Sequence, residues 1–109
     1  MKQIDIAMQK FATWLRNDWG TPEDMVQPII DEAKREMPNI EDLPPLVMDT
    51  VIYSHLASKC LARVIAKEIG IPTVDGERQW GRAGTMIKDK DWNEKKKFLE
   101  GCLRDDYEE

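Results

Sequence analysis

Few residues in this chain have the type and spacing for chemistry. Asp31, Glu32 and Glu36 form an acidic group, with Glu32 and Glu36 one helical turn apart. Paired carboxylates do acid–base work when an apolar pocket raises the pKa of one of them. No such pocket is evident here, so the group reads as a solvated helix face or part of an interface. His55 is the only histidine, and no serine or cysteine is nominated as its partner. It reads as a boundary residue. Cys60 and Cys102 lie too far apart for a metal-ligand spacing, and zinc needs about four N or S ligands. They read as reduced thiols of a cytoplasmic protein. The glycines of "GRAG", 81–84, lack both the Walker lysine pattern and the dinucleotide fingerprint. "KDKDWNEKKK", 88–97, could touch phosphates with Trp92 as a stacking ring. Its interleaved acids weaken that field, and a solvated face is the simpler reading. No catalytic residue, metal or cofactor is expected.

The totals agree. At 109 residues, 41% hydrophobic and 34% charged, the chain is one soluble globular domain. A net charge of −5 does not favour general nucleic-acid binding, although a local basic patch stays open. The N-terminus lacks the apolar core of a signal peptide, and no apolar run has the length of a membrane span. A cytoplasmic location is expected.

Helical periodicity organises the chain. Ile4, Met8, Phe11 and Leu15 set one apolar stripe over Gln3 to Asp18, with Trp14 beside it and Gly20 as the stop. "TPED", 21–24, reads as a start with Thr21 as cap. Met25, Ile29, Ala33 and Met37 form a column, with Val26 and Ile30 beside it. Pro28 interrupts this pattern, which favours a short turn and a second helix start at Pro28; Pro38 closes the segment. After Pro44 and Pro45 comes the longest periodic stretch. Met48, Ile52, Leu56, Cys60 and Val64 flank Tyr53, Ala57, Leu61, Ile65 and Ile69, and Gly70 then Pro72 end it. Residues 73–90, broken by Gly76, Gly81 and Gly84, read as an irregular connection with a short turn near Trp80. A last helix starts at Asp91, capped through Glu94, with Phe98, Leu99, Cys102 and Leu103 on its apolar face and a fraying end.

The expected fold is all-α: a small three-helix bundle over 1–72, with a C-terminal extension, 73–109, that contains a fourth helix packed on the same core. Four tryptophans are many for this length, and tryptophan is enriched at interface hot spots. Trp14 and Trp19, at the junction of the first two helices, are candidate partner anchors.

The stretch "QPIIDEAKREMP" followed by "IYSHLASKCLARV" resembles the theta subunit of bacterial DNA polymerase III and its phage homologues. The matching positions are Pro28, Ile29, Ile30, Glu32, Ala33, Arg35, Glu36 and Pro38, then Ile52, Leu56, Ala57, Ser58, Leu61 and Arg63. The likeness covers about residues 25 to 65 with small gaps. It does not reach 73–109. The resemblance implies a non-catalytic accessory protein that binds and stabilises the proofreading exonuclease subunit of a replicative polymerase. It places the contact on the first helix and the junction into the second, so Met25, Pro28, Ile29 and Glu32 join Trp14 and Trp19 as candidate partner-binding residues. The rival reading from size, acidity and absent catalytic motifs is a phage or mobile-element protein that inhibits a host nuclease or defence complex. A third reading is a nucleic-acid binder using 78–97.

Overall fold

A computed structural model describes residues 3–36, 50–71 and 86–108, with side chains over 5–35, 53–71 and 86–104. Among the described residues there are four helices and no strand, so the fold is all-α: α1 Gln3–Asn17, α2 Glu23–Glu36, α3 Thr50–Ile69 and α4 Trp92–Glu108. The positions at Met37, Pro38, Pro44, Pro45, Met48 and Trp80, and the GRAG loop, lie outside the described residues.

The first stripe forms as its spacing requires. Met8, Phe11, Trp14 and Leu15 are all buried. Helix α1 stops because Gly20 takes a φ of 71°, in the left-handed region that a side chain disfavours. The turn is closed by Trp19 N–H on the Trp14 carbonyl at 3.2 Å and Thr21 N–H on the Leu15 carbonyl at 3.0 Å. Arg16 then ties the end of α1 to the start of α2. Its guanidinium donates two bonds to the Glu23 carboxylate, at 2.8 and 2.9 Å.

Two local expectations fail in α2. The helix runs without a break from Glu23 through Pro28, so there is no second start. Proline removes the bond to the Asp24 carbonyl, but Asp24 lies in the exposed first turn, so the loss does not bury an unpaired acceptor. Thr21 does not cap the helix. It is buried and its Oγ1 has no partner; Met25 N–H closes the first turn on the Pro22 carbonyl instead, at 2.9 Å. The apolar column is as expected, with Val26, Ile29, Ile30 and Ala33 buried and Met25 packed against them.

Helix α3 packs against α2 and α4 and touches α1. It is buried more widely than its two apolar columns suggest. Ser54, Ser58, Ala62 and Ala66 follow each other every fourth residue, and all are fully buried. Small side chains on that side let the helix approach its neighbours closely. Gly70, at φ 76°, ends α3, with Ile71 N–H reaching back to the Ala66 carbonyl at 2.9 Å.

Helix α4 starts where its cap predicts: Asp91 Oδ1 accepts from Glu94 N–H at 2.9 Å. It continues to Glu108 where fraying was expected. Leu99 and Leu103 belong to the same apolar cluster as Phe11, Ile29 and Leu61. Replacing a fully buried leucine with alanine costs about 2–5 kcal/mol through lost transfer energy and a cavity. Leu99→Ala should therefore lower the denaturant midpoint of the whole molecule in a single transition followed by circular dichroism. Loss of α4 signal alone, with the rest melting as before, would show α4 to be an appendage.

Candidate partner-binding site

The aromatic residues assemble at one place. Phe11 stacks on Tyr53 at 5.6 Å between ring centres and on Trp14 at 6.0 Å. Trp14 lies 5.2 Å from Tyr53 and 6.0 Å from Trp19, and Trp92 meets Trp19 edge-on at 6.0 Å. This chain of rings links α3, α1, the first turn and the start of α4. Trp14 is 8% exposed and Trp19 1%. Both candidate anchors are thus packing residues in this structure.

Lys95 completes the junction and is the exception in 88–97, whose other residues are exposed or partly so, as a solvated face requires. It is 2% exposed. Its Nζ donates to the Trp19 carbonyl at 3.1 Å and to the Lys90 carbonyl at 2.6 Å, and it sits 5.0 Å from the centre of the Trp19 ring. Burial pushes its pKa down, while Asp91 and Asp89 oppose that shift. The signal was present in the spacing, since Lys95, Leu99 and Leu103 share one column. Trp92 is likewise partly buried rather than an open stacking ring.

Glu32 is a second correction. It is buried, not solvated. Its carboxylate accepts from Arg35 at 2.8 Å and pairs with Lys67 of α3. It is an internal link between α2 and α3. Asp31, on the exposed side, accepts from Gln27 at 2.8 Å, so the acidic group is split between two roles. Of the positions in the theta-like pattern, Ile30, Ala33, Leu56, Ala57, Ser58 and Leu61 are buried, Pro28 is half-buried, and Arg35 and Arg63 reach solvent. The pattern therefore marks helix packing more than an outer surface. His55 is half-buried, as a boundary residue should be.

Two accessible hollows flank α1 among the described residues. A groove of about 530 Å³ runs between α1 and α2. Met8, Val26 and Ile30 supply its apolar floor, and Gln9, Thr13 and Gln27 part of its rim. A second hollow of about 470 Å³ lies on the other side of α1, against Trp14 and Tyr53. Gln9 and Thr13 line both. Sequence periodicity identified the floor of the groove but not the rim, because polar rim residues have no pattern of their own.

Among the described residues no group of His, Cys, Asp and Glu could hold a metal ion, and no helix is long and apolar enough to cross a membrane. No protein-family model, curated protein or solved structure matches the chain.

Cys60 is fully buried, and burial pushes its thiol up to about 12, with Glu32 adding to the shift. The nucleophilic thiolate is therefore suppressed at neutral pH. In native protein at pH 8, iodoacetamide should label Cys102 and leave Cys60 unmodified until denaturant is added, as read by mass spectrometry. The same shift has a stability consequence. The unfolded thiol releases its proton above its ordinary value of 9.0 while the folded one keeps it to about 12, so stability should fall as pH rises through that window.

Proposed function

We propose that this protein is a non-catalytic, theta-like accessory protein that binds and stabilises the proofreading exonuclease subunit of a bacterial replicative polymerase. In this reading α1, α2 and α3 form the theta-like three-helix unit, and α4 extends the same core. The observation that carries it is the groove between α1 and α2. It lies on the surface that the resemblance assigns to the partner: the first helix and its junction into the second. An apolar floor under a polar rim that also carries Asp5, Arg16 and Lys34 suits a protein surface of mixed polar and charged groups. Binding only the folded form of an unstable partner raises that partner's apparent stability without new chemistry.

The test is gel filtration and thermal melting with a purified bacterial proofreading exonuclease domain. Co-elution and a raised melting temperature of the exonuclease are expected. Thr13→Arg, placed between the two hollows, should weaken the complex at least about tenfold and leave the chain's own melting temperature within a few degrees, because Thr13 is exposed. Independent elution at micromolar concentrations would remove this reading and leave the inhibitor of a host nuclease in its place.

A further inference from the structure

The hollow on the α3 side of α1 has a charge of each sign at its ends. Its floor is Trp14 and Tyr53, its edge is Gln9 and Thr13, and Lys10 and Asp18 complete the lining. Gln9, Lys10, Thr13 and Asp18 are all exposed. Asp18 N–H still bonds the Trp14 carbonyl at 2.8 Å, so helical spacing holds through it and sets the two charges about 12 Å apart along the axis. The other charged residues of α1 are Asp5 and Arg16. Both line the groove on the α2 side, where Arg16 is paired with Glu23. Lys10 and Asp18 form no ion pair or side-chain hydrogen bond among the described residues. The Thr13 hydroxyl donates to the Gln9 carbonyl at 3.0 Å, so covering it strands no donor.

We propose that this face of α1 pairs with the same face of a second copy of the chain, antiparallel about a two-fold axis near Thr13 and Trp14. A two-fold axis makes one patch meet itself, so the patch must be self-complementary. This one is, in charge and in shape. Reversing the helix direction about residue 14 sets Lys10 of each copy opposite Asp18 of the other, and the pair forms twice. A ridge beside a hollow is matched in the same way. Gln9 and Thr13 of each copy enter the other's hollow, as ridges enter grooves wherever helices pack. One helix face is a small area, and each copy carries a net charge of −5 that opposes approach. The dimer is therefore weak and transient, with a Kd on the order of 10⁻⁴ M. It does not rest on the exonuclease reading, which places its partner on the α2 side of the helix.

The experiment is sedimentation velocity of the full-length chain from about 10 µM to about 1 mM. A concentration-dependent dimer is expected, and it should dissociate further as salt is raised. Lys10→Glu should weaken it at least about fivefold, and so should Asp18→Lys, since each sets like charges together twice. An equimolar mixture of these two variants should associate within about twofold of the native chain, because both contacts of the mixed dimer are then of opposite sign. Lys10→Glu with Asp18→Lys in one chain should do the same, at unchanged net charge. Lys97→Glu, exposed on α4, should stay within about twofold and controls for net charge. All three positions are exposed, so melting temperatures should stay within a few degrees. A monomer at every concentration would overturn the proposal. So would a dimer indifferent to the reversals, or one that they weaken without recovery in the mixture and the double variant.

Discussion

The Lys95 ammonium rests on the Trp19 carbonyl and over the Trp19 ring, and this contact joins residues 76 positions apart. A buried ammonium without acceptors costs several kcal/mol, so its place is tightly specified. Here two carbonyls and an aromatic face supply the acceptors. The contact needs Trp19 held at the end of α1, which Gly20 secures by turning the chain. It also needs α4 to begin at Asp91, which the Asp91 cap secures. Trp92 then meets Trp19 edge-on, and Leu99 and Leu103 follow into the core one and two turns further along. The first and last helices are thereby fixed on the central one.

That constraint decides which side chains remain at the surface. With Trp14, Trp19 and Trp92 committed to one another, the surplus of tryptophan is spent inside. Outside on α1, Gln9 and Thr13 form a polar ridge with a hollow on either side. The internal Glu32 pairing acts similarly on the other side of α2. It draws the acid inward and leaves Arg35 of α2 and Lys67 of α3 more than half exposed. Both outer surfaces are consequences of what the core had to bury.

Much of the fold was legible in the sequence because it rests on spacing. The α1 stripe, the Gly20 and Gly70 stops, the Asp91 cap and the Leu99–Leu103 face are periodic or local features, and they appear where they were expected. The failures share a cause. Pro28 reads as a break because the sequence does not say that Asp24 is exposed. Glu32 and Lys95 read as solvated because charged residues usually are, and only tertiary contacts supply their acceptors. Trp19 reads as a surface anchor because it lies beyond the periodic helix. The groove was legible only by its floor, since a rim is defined by two helices together.

The most direct measurement is a nitrogen–proton correlation spectrum of the labelled full-length chain, titrated with the unlabelled exonuclease domain. The account predicts shifts confined to the outer face of α1 and the facing residues of α2, with Gln9, Thr13 and Gln27 at the centre and the Trp19 indole unmoved. Shifts centred on Trp19 and the start of α4, or none at saturating exonuclease, would contradict it.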